Sequence, residues 1–433
     1  MASYSSGRVG KSLLCGGEKV GVHEMSRFYV LLLVVFLLTP HPTRSQGSTY
    51  PVFASDLQAP TKVVLLPNGL ILAAEGGSGN NDGRISIFNN AGERRTLIEG
   101  LPSGLIPEPI ASPCGPHSIV VRHRTVYISI GIGDLLQPAS LAPQEGTGTK
   151  VNPTPLSPLF SSVLQIDFES EISFETGPFS LAPADHDTLA DGLIVTLTSA
   201  DGQQRAQIRV LVNFLPDVGP DTTSPPVARY RGSDPLDLVL DSNQPHILYV
   251  TDGGLNKVVR IDTTTGEYQD LVRFDKLPKP PGNIFGPAKI DPVPSGMRQA
   301  GRWLYVTFLT GFPYAQGAAQ IHRIDLTTGT DEVILKDDKL KRKEMTSLVD
   351  LEPSGDGGLF VLQLSTNLFV LPPLKPAPGR LLRFDLTAPN PLASVSVVAD
   401  GLEMPNSMAR DPATGEIFVV QIGAGNIIRV SPQ

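Results

Sequence analysis

The sequence predicts an all-β fold: a six-bladed β-propeller closed by its N-terminal strand and preceded by a signal peptide. Three observations carry this expectation. A strand–turn–strand phrase recurs six times along the chain. The 42 glycines and 40 prolines of the 433 residues fall between short apolar runs, as turn residues do, rather than in one low-complexity tract. The last copy stops one strand short, while Pro51 to Leu57 is left over before the first copy.

From the N-terminus, Arg27 is followed by an apolar run from Phe28 to Leu38, then Pro40, Pro42 and the small-residue stretch Thr43 to Gly47. A charged flank, a short apolar segment and a plausible cleavage site describe a signal peptide. A membrane span needs about twenty apolar residues, so the mature chain is expected to hold no transmembrane segment. Residues 1–46 are therefore read as an extension plus signal peptide, with Met25 as a second candidate start, and 47–433 as one exported propeller, periplasmic or secreted. Removing residues 1–45 takes away five basic and two acidic residues and moves the net charge from −8 to −11. An acidic surface without basic clusters argues against nucleic acid or an anionic membrane as partner. The run Lys339 to Lys343 follows Asp337-Asp338 and reads as a solvated turn.

The first copy begins at Ala59-Pro60, runs through Val63 to Leu66, turns at Pro67-Asn68-Gly69 and returns through Leu70 to Glu75; Arg84 to Phe88 and Arg94 to Glu99 follow. The second opens at Gly115-Pro116-His117, the third at Asp234-Pro235, the fourth at Gly286-Pro287-Ala288-Lys289, the fifth at Met345-Thr346-Ser347 and the sixth at Met404-Pro405-Asn406. Repeats of this length with hairpin turns describe propeller blades. Closing the ring with Pro51–Leu57 beside Asn426–Val430 protects the strand edges that an open array exposes. The second copy is oversized, with insertions at 135–158 and 169–204 expected to pack over one face of the ring or its rim.

Asp262, Asp325 and Asp385 recur at the ends of third strands, where a turn-capping role is expected. Cys15 is lost with the signal, which leaves Cys114 alone between Pro113 and Gly115, read as a half-buried loop cysteine rather than a catalytic thiol.

In a propeller the inner strands begin at the face where the second strands end. That places Lys62, His117, Ser118, Asp237, Lys289, Ser347 and Asn406 beside Glu75, Asp134, Asp252, Gln363 and Gln421 at one mouth of the channel. Such a polar concave mouth is where a ligand is expected. The ligand candidates are His117, Asp134, Asp252, Lys62, Lys289 and Gln421; the metal candidates are Glu75, Asp237 and Asn406, with calcium as a possible divalent ion. The expected partner is a small molecule or an extracytoplasmic protein.

Two resemblances add to this. Pro405-Asn406-Ser407-Met408 is similar to the asparagine-bearing strand of six-bladed lactonases resembling gluconolactonase, which hold a divalent cation with a glutamate, an asparagine and an aspartate. The matching first-blade position is Thr61-Lys62, without a carboxylate, and Asp237 falls one residue later than Asn406 in the phrase. The chain as a whole resembles the ScyD/ScyE family of exported propellers, similar in architecture to NHL-type propellers. The likeness is clearest in Gly115-Pro116-His117-Ser118, in Tyr249-Val250-Thr251-Asp252-Gly253-Gly254-Leu255-Asn256, and in Leu304 through Gly317. It implies a six-bladed exported binding or scaffold protein and supplies no catalytic residues; the lactonase is the alternative.

Overall fold

The computed structural model describes residues 50–106, 112–138, 149–215, 219–220, 230–279, 288–368 and 376–431. Residues 1–46, expected to be an extension and signal peptide, lie outside them.

Six four-stranded antiparallel units make up the ring. Blade 1 runs through Pro60–Leu65, Ile71–Glu75, Gly83–Phe88 and Arg94–Leu101. Blade 2 uses Pro116–Arg122, Thr125–Ile130, Ser162–Phe168 and Arg205–Asn213. Blades 3, 4 and 5 begin at the inner strands Pro235–Leu240, Pro294–Ala300 and Leu348–Pro353. Blade 6 supplies Pro405–Arg410, Ile417–Gln421 and Asn426–Val430, and its fourth strand is Val52–Ala54 from the other end of the chain. Val52 pairs with Ile428 and Ala54 with Ile427, while the ring of Phe53 packs against those of Phe88 and Phe418 at 6.0 and 5.1 Å. The expected ring closure is what the chain builds.

The core explains why the strands read as nearly continuous apolar runs. Each blade is sandwiched between two others, so both of its faces are buried. In the second strand of blade 3, Leu248 and Val250 face a cluster with Tyr127, Val163 and Phe214 of blade 2. The alternate residues Ile247 and Tyr249 face Met297, Val306 and Phe308 of blade 4. Side chains alternate sides along a strand, and one such apolar cluster fills each of the six interfaces between blades.

Within blades, Gly69 closes the first hairpin at φ +82°, with its N–H bonded to Leu66 O at 2.9 Å. The third-strand aspartates act as turn caps, as expected: Asp262, Asp325 and Asp385 each accept the backbone N–H two residues on, at 2.8, 2.9 and 2.9 Å.

The blade-2 insertions part ways. Leu136–Pro138 and Thr149–Val151 form a two-stranded ladder, with 139–148 outside the described residues. The second insertion goes to the rim. Its Phe179–Ser180 pairs in parallel with the outer strand of blade 1, and Val195–Thr198 adds a fifth strand to blade 2. Between them the helix Pro183–Ala190 carries buried His186, whose Nε2 meets Gly100 O at 2.8 Å and whose Nδ1 meets Ser157 Oγ at 3.0 Å. One imidazole thereby fastens both insertions to blade 1.

One inner strand differs from the expectation. Lys289-Ile290 pairs only with Leu277–Pro278 in a two-stranded ladder, and the inner strand of blade 4 is Pro294–Ala300. The reason lies at Gly296, where a Cβ would collide with Asp350 Cα and Val349 O of the next blade. Close approach at the axis requires glycine there, so this strand lacks the apolar, β-branched signature that marks the others. No helix among the described residues is long and apolar enough to cross a membrane.

Candidate functional site

The mouth of the channel is organised by a repeat that the sequence hides. In every blade the carbonyl just before the inner strand accepts the N–H just after the second strand. The six bonds are Gly76 N to Ala59 O, Gly131 to Gly115, Gly253 to Asp234, Leu309 to Val293, Leu364 to Ser347 and Ile422 to Met404, at 2.8 to 3.1 Å. Four of these acceptor residues, Ala59, Val293, Ser347 and Met404, sit at φ 47°, 51°, 48° and 50°. Left-handed backbone at non-glycine residues carries strain of order 1–3 kcal/mol each and collects at functional positions. Each inner strand then shifts register by one residue before regular pairing begins. That shift puts Lys62, Ser118, Asp237, Asp350 and Ser407 on one level around the axis and turns Asn406 elsewhere, as the one-residue offset from Asp237 implied.

On this level the channel is filled by ions that satisfy one another. Asp237 Oδ1 accepts Lys62 Nζ at 2.6 Å, Ser118 Oγ at 2.7 Å and Leu238 N at 2.9 Å. Its Oδ2 accepts Met297 N at 2.9 Å and Arg298 Nη1 at 3.3 Å. Asp350 Oδ2 accepts Met408 N at 2.9 Å, Ser407 Oγ at 3.1 Å and Arg298 Nη2 at 3.2 Å, and Arg298 Nε donates to Glu352 at 3.0 Å. All six blades contribute. Burial alone would raise the Asp237 carboxyl, but the Lys62 and Arg298 charges beside it hold it below the usual carboxylate range. Burial likewise opposes the Arg298 charge, and Asp350, Asp237 and Glu352 outweigh it.

The three metal candidates are not gathered. Asp237 has its lone pairs occupied in the plug. Glu75 lies fully buried inside blade 1, accepting Ser86 Oγ, Arg94 Nη2 and Gln58 N at 2.5, 2.5 and 2.7 Å. Asn406 donates to Thr61 O at 2.7 Å. No partner is shared among the three.

Of the ligand candidates, Lys62 is part of the plug, and Gln421 is spent between Asn426 Oδ1 and Glu403 N at 2.9 and 2.6 Å. Asp134 orders the first insertion by accepting Leu156 N and Asn152 Nδ2, both at 3.1 Å. Lys289 stands exposed in its outlying ladder. His117 and Asp252 stay at the mouth with capacity left over. Asp252 Oδ1 accepts Asp234 N and Leu255 N at 3.0 Å each; its Oδ2 is buried, and the nearby Ser233 hydroxyl is among the groups that stabilise the carboxylate. Burial raises the proton affinity of this carboxyl above the ordinary range, against the hydrogen bonds that oppose the rise.

Asp252 belongs to a set. Ten buried side-chain polar atoms among the described residues have no hydrogen-bond partner within the protein. Four are arginine Nε atoms; the others are His117 Nδ1, Ser233 Oγ, Asp252 Oδ2, Thr310 Oγ1, Ser347 Oγ and Gln363 Oε1. All six of these sit where an inner strand begins or a second strand ends, which is one face of the ring. Thr310 also has φ 67°. Buried polar atoms are rarely left unpaired, and a cluster of them on one face marks where ordered water or a ligand would be held.

Sequence reasoning missed Asp234 and misplaced Cys114. The cysteine ends the short strand Ser112–Cys114 and is buried, with its Sγ 3.3 Å from His117 Nε2. His117 Nδ1 faces Asp234 Oδ1 at 3.6 Å. Nothing in the spacing announces this group, because it assembles across two blades.

No family model and no curated protein sequence matches this chain. Solved structures do. A PQQ-bound aldose sugar dehydrogenase from Streptomyces coelicolor is similar at 15% identity and TM-score 0.44, over 89% of this chain and 98% of that one. A structural-genomics protein of unknown function from Bacteroides thetaiotaomicron is similar at 11% identity and TM-score 0.46, over 89% of this chain and 73% of that one. A chain of a nidogen/laminin complex is similar at 11% identity and TM-score 0.41, over 84% of this chain and 94% of that one. The strand pairings establish this chain as a six-bladed β-propeller.

Proposed function

We propose that this chain is an exported binding propeller of the ScyD/ScyE type, which takes a polar small molecule or an extracytoplasmic protein segment on the face where the inner strands begin. The observation that supports this reading is the set of unpartnered buried polar atoms on that face, next to an axis closed by its own ions. A ligand meets donors and acceptors there whose desolvation the fold has already incurred. The lactonase alternative finds no support in the placement of Glu75, Asp237 and Asn406.

The test is a melting-temperature screen of the mature chain against sugars, polyols, carboxylic acids, lactones and short peptides. A ligand that binds the native state raises the melting temperature by mass action. The expected hit loses its shift in Ser347→Ala and Asp252→Asn and keeps it in Arg410→Ala, on the opposite side. A shift that survives both mouth substitutions, or cation-dependent hydrolysis of the lactones, overturns the reading. Export is tested separately by fusing residues 1–46 to a reporter that lacks its own signal; retention of the reporter inside the cell refutes it.

A further inference from the structure

We propose that Cys114, His117 and Asp234 form a site for one divalent cation with thiolate affinity, of the zinc class. The three donor side chains offer ligand atoms all within 4.8 Å of one another. This assignment goes beyond the binding reading and does not depend on which ligand the face takes.

The geometry suits a tetrahedral ion. Bonds of about 2.3 Å to sulfur and about 2.0 Å to imidazole nitrogen place the two donors roughly 3.5 Å apart, and Cys114 Sγ lies 3.3 Å from His117 Nε2. The carboxylate is aimed by the Ile132 N–H, which donates to Asp234 Oδ1 at 2.9 Å. Gly133 N–H donates to the sulfur at 3.2 Å, a bond that steadies a thiolate. Gly131 lies so close that a Cβ there would strike His117 Cε1 and Cys114 Sγ, so the loop is shaped around the pair. Solvent reaches the group from the imidazole and carboxylate side, where the side chains are 14% and 19% exposed.

Without an ion the group is poorly resolved chemically. His117 Nδ1, the ring nitrogen turned away from the sulfur, is buried without a hydrogen bond, 3.6 Å from Asp234 Oδ1. Burial, and after it the Asp234 charge, pushes the Cys114 thiol well above its ordinary range, which opposes a role as a free nucleophile. A cation reverses both effects: it displaces the thiol proton and offsets the carboxylate charge. Three protein donors leave a fourth position for water or a ligand.

Cobalt(II) is the probe. Added to chelator-treated mature protein, one equivalent is expected to produce a thiolate-to-cobalt charge-transfer band in the near ultraviolet, to release about one proton at neutral pH, and to be displaced by zinc. Cys114→Ser removes the band. His117→Gln and Asp234→Asn, both on partly exposed side chains, weaken zinc binding by roughly ten-fold or more, with melting curves of the metal-free variants reporting that they fold. Absence of the band in folded wild-type protein overturns the site, and so does a band that persists in Cys114→Ser. Rapid alkylation of Cys114 by iodoacetamide at neutral pH, unaffected by zinc, also overturns it and identifies an activated thiol instead.

Discussion

The axis and the mouth of this propeller are built from the same strand ends, only one or two residues apart, and they solve the problem of buried polarity in opposite ways. At the axis, Lys62 and Arg298 meet Asp237, Asp350 and Glu352, and serines and backbone N–H groups take the remaining lone pairs. At the mouth, Asp252, Thr310, Ser347 and Gln363 are buried with atoms unpaired. The difference teaches which polar residues are structural. A buried charge whose every lone pair is answered from a different blade works as a clamp on the ring. A buried hydroxyl or carboxylate oxygen without a partner inside the protein costs stability, and the proposed binding function is what would offset that cost.

The sharpest way to break the comparison is Lys62→Met. It leaves Asp237 buried without its nearest cation and is expected to cost about 3–5 kcal/mol, read as a lower urea midpoint at an unchanged slope. Adding Asp237→Asn, which keeps the acceptor and removes the charge, should restore part of the loss. The pH dependence has a defined sign. Because the folded Asp237 carboxyl is held below its unfolded value of about 4, its contribution is present above that pH and is lost as pH falls through the folded value. Lys62→Met should therefore flatten the acid limb of the stability profile.

Gly296→Ala tests the axis by crowding instead of charge. The added methyl meets the Asp350 backbone, and a loss of roughly 1–3 kcal/mol is expected from such overpacking. A neutral result in thermal unfolding would show that blades 4 and 5 can separate at the axis.

The mouth should respond in the opposite direction. Thr310→Val and Ser347→Ala remove unpaired buried hydroxyls and are each expected to raise stability by about 1 kcal/mol, seen as higher melting temperatures together with lost ligand response. Destabilisation by either would mean that the hydroxyl is satisfied in solution. Asp252→Asn should give a smaller gain of up to about 1 kcal/mol near neutral pH. Its folded carboxyl holds its proton more tightly than the unfolded one, so the group favours folding below about pH 4 and loses that contribution as pH rises through the folded value. The advantage of asparagine should accordingly shrink as the solution is acidified, which calorimetry at several pH values can follow.

Much of the architecture was legible along the chain. Apolar runs of strand length, hairpin turns such as Pro67-Asn68-Gly69, the aspartate caps at Asp262, Asp325 and Asp385, and the spare strand near Pro51 are local signals, and each of them led to the blade it belongs to. The candidate site was legible only in part. Glu75 and Gln421 end their strands as expected, Asp134 lies in the loop beyond Ile130, and each is occupied by neighbours from its own blade or from the loops around it. Lys289 falls in an outlying ladder although Gly286-Pro287 imitates the opening phrase, and the true inner strand is masked by the glycine its position requires.

By itself, then, the sequence determined the kind of unit, its number and the way the ring closes, because hydrophobic periodicity and turn chemistry act over a few residues. Only the tertiary structure decided which polar residues neutralise one another and which stay unspent. Lys62 meets Asp237 from two blades away, and Cys114 and His117 of the second blade's entry meet Asp234 at the start of the third. Coulomb attraction and hydrogen bonding depend on distance through space, and closing the ring sets those distances.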